Sequence, residues 1–134
     1  MAKGDYLRDK AANNLQAATS LGDLGLHAPA VSRLYYAAFQ ATIITLDLKP
    51  VEWHRKNIVH PLKKGGNWDH YAVCCAASAV RASRGDIAAM HALMGSRHKA
   101  DYQDVPPEPA ILALRLPMVR AMVQVAEATR GKAP

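Results

Sequence analysis

Apolar positions recur every three or four residues along most of this chain, with polar residues between them. Leu7, Ala11, Leu15, Ala18 and Leu21 keep that step while Arg8, Asp9, Lys10, Asn13 and Asn14 fill the other side, which predicts a helix from about Asp5 to Leu21. Gly22-Asp23-Leu24-Gly25 breaks it. The next segment, about Ala28 to Leu48, is apolar on almost every side and so predicts the central helix of a bundle. Its exceptions, Arg33, Gln40 and Asp47, recur at steps of seven and form one narrow polar strip, suited to water, a partner subunit or a cleft. Pro50 ends this helix, because the residue before a proline avoids helical geometry.

The second half repeats the pattern less cleanly. A short helix is expected from Glu52 to about His60, closed by Pro61, and then a loop at Lys63-Lys64-Gly65-Gly66-Asn67. A further helix from near Trp68 to about Arg84 turns Trp68, Ala72, Cys75, Ala76 and Ala79 to one face. Gly85-Asp86 is either a cap and restart or a weak point in one long helix, since Ile87, Met90, Leu93, Met94 and Arg97 continue the period. Val105-Pro106-Pro107-Glu108-Pro109 predicts a rigid, extended connection. The last helix covers about Glu108 to Ala128, with Leu112, Leu116, Val119, Val123 and Ala126 inward. Pro117 is expected to kink or split it, and Arg130 to Pro134 to fray. Short connections between amphipathic helices favour antiparallel neighbours, so the pattern predicts an all-α, up-and-down bundle of four or five helices in one domain spanning 1–134.

Composition agrees with that fold class. Half the residues are hydrophobic, yet only one is phenylalanine, and alanine is abundant, which lets helices approach closely. The charge-free apolar stretch from Leu34 to Leu46 is too short to span a bilayer, and Met-Ala-Lys-Gly-Asp at the start lacks the apolar core of a secretion signal. A soluble cytoplasmic protein without membrane contact is therefore the expectation. Cys74 and Cys75 are adjacent, a spacing that suits neither a mutual disulfide nor a metal site, and they read as small core residues. His54 and His70 are isolated, so no metal or cofactor is expected.

The formal charge of +6 is a modest basic bias. Lys49, Arg55, Lys56, Lys63 and Lys64 fall within sixteen residues, together with His54 and His60. This cluster is either a solvated connection between helices or a rim that faces phosphate.

Two short motifs stand out. Ser32-Arg33-Leu34-Tyr35-Tyr36-Ala37-Ala38-Phe39 places paired tyrosines and a lone arginine on the apolar helix, and Arg97-His98-Lys99-Ala100-Asp101-Tyr102 follows some sixty residues later. In this order the motifs resemble the HEPN superfamily, in its branch of small stand-alone proteins with an Arg-x-x-Tyr-Tyr-Ala-x-Phe helix and a late Arg-x-x-x-Asp-Tyr. The resemblance implies a HEPN-type bundle that dimerises through its motif-bearing helices, with Arg33 and Tyr36 at the dimer or cleft. It also implies a role in a toxin, antiviral or stress system. RNA or a nucleotide would be the ligand, and a cognate antitoxin or a nucleotidyltransferase the protein partner.

Many members of that superfamily are metal-independent endoribonucleases, and others bind without cutting. Their signature pairs an arginine with a histidine a few residues later. The histidine handles the proton of the ribose 2′-hydroxyl or of the leaving oxygen, and the arginine holds the phosphate. Here Arg55 to His60 and Arg84 to His91 have that spacing, although roughly 1.2 chance matches are expected for this composition. Arg55 lies in the basic cluster, but Lys56 and Leu62 depart from the family pattern. Arg97 is nearer the usual position of the family's arginine, with Tyr102 where a histidine would stand and Asp101 within ion-pair reach. The candidate catalytic groups are thus Arg97, Asp101 and Tyr102, with Arg55 and His60 as the alternative pair. Lys49, Lys56, Lys63, Lys64, His98 and Lys99 are the candidate RNA contacts. Each also has a plain structural reading: Arg33 as a tie to an acid such as Asp101, Tyr35 and Tyr36 as core aromatics, and His91 packed between Met90 and Met94.

Overall fold

A computed structural model describes residues 5–47, 63–64, 67–68, 70, 73 and 84–131. It contains α1 (Asp5–Asp23), α2 (His27–Asp47), β1 (Lys63–Lys64), β2 (Asn67–Trp68), α3 (Arg84–Tyr102) and α4 (Pro109–Glu127). His70 and Val73 are also helical. The chain is an all-α helical bundle, and among the described residues it has one two-residue antiparallel ribbon, in which Lys63 faces Trp68 and Lys64 faces Asn67.

The long helices run up and down. Asn14 of α1 reaches Arg33 and Gln40 of α2, on either side of the turn at 24–26. Thr42 meets Met90 while Tyr36 meets Arg97, so α2 and α3 are antiparallel. Arg8 touches Ala126 and Gly22 touches Leu112, so α1 and α4 are antiparallel too. As the apolar pattern requires, α2 is central and packs against all three others. Val31, Leu34, Tyr35, Ala38, Ile43 and Leu46 are almost completely buried along it. Ala11 and Ala18 of α1, Leu93 of α3, and Leu112, Val119 and Val123 of α4 close the core from the sides that periodicity assigned to them.

Several boundaries differ from the expectation. α1 continues through Gly22, which lies against Leu112 where a β-carbon would come within 2.5 Å of Cδ2. The break falls later, at Gly25, whose φ of 76° lets the Leu26 N–H close on the Leu21 carbonyl. The expected loop at Lys63–Asn67 includes a ribbon, and Trp68 belongs to it rather than to a helix. A Gly-Gly dipeptide between short segments is a hairpin signal that the helical reading passed over. Gly85-Asp86 lie within α3, in its first described turn, and the residues just before Arg84 lie outside the described residues.

Pro117 does not split α4, which runs unbroken over 19 residues from a proline at its start. That proline is exposed, so its ring and its missing N–H fall on the side away from the core. Among the described residues, α4 is the one helix long and apolar enough to cross a membrane by length and composition; its core face packs in the bundle, and 28% of its apolar window is buried. The short helix expected at 52–60 and the residues Lys49, Cys74 and Cys75 lie outside the described residues.

Candidate functional site

The two sequence motifs meet where α3 crosses α2. Arg97 and Tyr36 are both half-buried. The Arg97 guanidinium lies 5.0 Å from the centre of the Tyr36 ring and 5.6 Å from that of Tyr35. A planar cation over aromatic faces is attracted by their negative quadrupole, and its edge keeps the N–H donors. Asp101, one turn on, stands 3.5 Å from the buried Nε, outside hydrogen-bond geometry, so Nε makes no hydrogen bond among the described residues.

Behind this pair is a ring stack. Tyr35 is fully buried and lies edge-on to Tyr36, with its ring near-parallel to Phe39. His70 stacks on Phe39 at 4.2 Å and shares a short hydrogen bond between its Nδ1 and the Tyr35 hydroxyl. Burying a phenol requires a partner for its hydroxyl, and His70 supplies it. His70 is one of the two histidines too isolated in sequence to be read as a metal ligand. No local pattern joins it to Tyr35, because the two are 35 residues apart.

Arg33 does not tie to Asp101. Its Nη1 donates to the Asn14 side-chain oxygen at 3.3 Å, and the Asn14 amide donates to Gln40 at 2.9 Å. The polar strip of α2 therefore faces α1, although the Asp47 side chain lies outside the described residues. Arg33 remains exposed and sits one turn before Tyr36 on α2, with its guanidinium turned to α1.

The remaining α3 candidates point elsewhere. Tyr102 is 73% exposed and its ring rests against His98 at 4.9 Å. Tyr102 and His98 are one turn apart on a face rotated from that of Arg97 and Asp101, which divides the expected Arg97–Tyr102 pair. His91 is exposed rather than held between Met90 and Met94. Lys99 leads to a separate cleft, described below. Lys63 and Lys64 have a described backbone only, whereas Arg55, Lys56 and His60 lie outside the described residues. Among the described residues no group of three or more His, Cys, Asp or Glu side chains could hold a metal. No protein-family model, curated protein or solved structure matches this chain.

Proposed function

We propose that this chain is a HEPN-type helical module of a toxin, antiviral or stress system that dimerises and binds RNA or a nucleotide without cutting it at the α2–α3 groove. One observation carries the reading: the half-buried Arg97 guanidinium on the Tyr35 and Tyr36 rings. A guanidinium held over aromatic rings is suited to a phosphate, and a half-exposed Tyr36 beside it is suited to a base. The same groove offers poor acid–base chemistry. Its histidine is engaged by a buried phenol, and Tyr102 and His98 sit on another face. The homodimer of this reading draws on Arg33 and Tyr36 at the rim of the groove. It cannot use Tyr35 and Phe39, whose rings are packed inside one chain.

A second reading, a metal-independent endoribonuclease using Arg55 and His60, is favoured by the basic run. That run ends in an ordered ribbon at Lys63–Lys64, close in sequence to His70. One experiment separates the two. A labelled single-stranded RNA is titrated in EDTA, followed by anisotropy and by a gel, with sedimentation run in parallel. The binding reading expects intact RNA, a dimer, and affinity weakened about tenfold or more by both Arg97→Gln and Arg97→Lys, since lysine keeps the charge but not the planar stack. Unchanged affinity in both variants refutes it. Cleavage that His60→Ala abolishes transfers the conclusion to the ribonuclease.

A further inference from the structure

On the other side of α3 from Arg97, a cleft of about 390 Å³ opens between that helix and the α3–α4 connection. Val105, Pro106, Pro107 and Ile111 make its apolar wall. The wall is stiff by construction. Prolines fix φ, and Pro107 is buried, while Asp104, with a φ of 51° that aspartate tolerates, ends α3 by letting the Val105 N–H close on the Lys99 carbonyl. The opposite wall is α3 itself, where Gly95 leaves a gap: a β-carbon there would meet nothing within 4 Å.

Two opposite charges face this cleft. Lys99 lines it from α3, and Glu108 lines it from the start of α4. They form no ion pair with each other or with any other described residue. Glu108 is also the residue before the first turn of α4, yet its side chain makes no capping hydrogen bond. Neither charged group is therefore committed to the fold.

A cation and an anion held apart across apolar walls are complementary to a ligand with the reverse arrangement. We propose that this cleft binds a free α-amino acid with an apolar side chain. The carboxylate meets Lys99, the ammonium meets Glu108, and the side chain covers Val105, Pro106 and Pro107 in the gap left by Gly95. The space is within the range of small-molecule pockets, and a preformed wall lowers the ordering cost of binding. This site goes beyond the groove reading and does not rest on it, because Arg97 and Lys99 project from opposite sides of α3.

The full chain is titrated with L-leucine and L-phenylalanine by calorimetry and by ligand-observed NMR. Saturable binding of at least one of them is expected. It should weaken about tenfold or more when the ligand is N-acetylated or esterified, and likewise in Lys99→Gln and Glu108→Gln. Gly95→Leu should abolish it by filling the gap, while helicity is kept and RNA anisotropy stays as in the wild type. Thermal melting of each variant verifies that it is folded. Absence of saturation by either amino acid up to about 10 mM overturns the proposal. So does binding that survives Gly95→Leu, or binding indifferent to the loss of both ligand charges.

Discussion

Replacing Arg8 by methionine tests how the two ends of the chain are held together. Arg8 is 2% exposed and reaches from α1 to the end of α4. Its Nε donates to the Ala126 carbonyl at 3.0 Å and its Nη2 to the Thr129 hydroxyl at 2.6 Å, while Nη1 pairs with Asp5 at 3.2 Å. Methionine keeps most of the stem, so little apolar contact is lost. The Ala126 carbonyl still accepts from the Thr129 hydroxyl at 2.6 Å. The cost falls on Asp5, whose carboxylate keeps its other contacts, the Gly131 N–H at 3.4 Å among them, but loses the buried Arg8 guanidinium.

Breaking a buried pair by removing one member costs about 3–5 kcal/mol. Asp5 sits in the first turn of α1, where the helix dipole offsets about 0.3–1 kcal/mol, so the lower end, about 3 kcal/mol, is expected. In a urea titration followed by circular dichroism, with a slope of about 2 kcal/mol per molar, the midpoint should fall by about 1.5 M. Arg8→Met/Asp5→Asn should regain much of that loss, because no carboxylate then stays buried without the Arg8 guanidinium. A fall below about 0.5 M in the single variant would show that the pair counts for no more than a surface ion pair, and would refute the argument.

Two further substitutions probe the packing at the opposite end of the α1–α4 pair and the charge at the same end as Arg8. Gly22→Ala gains about 1 kcal/mol of helix propensity and sets a β-carbon 2.5 Å from Leu112 Cδ2, the tip of a flexible side chain that can turn aside while its Cγ stays 3.8 Å away. A change of less than about 1 kcal/mol is expected in the same titration, and a loss beyond about 2 kcal/mol would show that Leu112 cannot yield. The Glu127 carboxyl is held below the usual carboxylate range by the hydrogen bond from Arg130, against a smaller opposing effect of burial. A carboxyl lowered in the folded state stabilises above its unfolded pKa, and the gain is lost as pH falls through the folded value. Glu127→Gln should therefore be less stable than wild type at neutral pH, the two should converge in acid, and a gap that persists at low pH would contradict the assignment.

Much of the candidate site was legible as residue types and little of it as partnerships. Arg97 and the tyrosine pair could be picked out because a charge and two phenols interrupt otherwise apolar helical faces. Tyr102 was grouped with Arg97 through adjacency in sequence, yet five residues along a helix is a different face, and the structure turns it to His98. His70 was set aside because nothing near it in the chain marked a role. The polar strip of α2 was legible as a strip, but whether Arg33 and Gln40 faced water or α1 depended on where Asn14 came to lie.

The sequence by itself determined the all-α class and the position and inward face of α1, α2 and α4, and it left open whether α3 began afresh near Gly85. These follow from a 3.6-residue repeat and from local breakers, both of which act within a few residues. It did not determine where α1 would stop, because Gly22 stays helical beneath Leu112, a contact made 90 residues away. Only the tertiary structure decided that Arg97 covers Tyr35 and Tyr36, that Tyr35 meets His70, and that Lys99 and Glu108 flank one cleft. Such meetings depend on the order and axial stagger of packed helices. These are set by how the whole core interlocks, and no short window of sequence contains them.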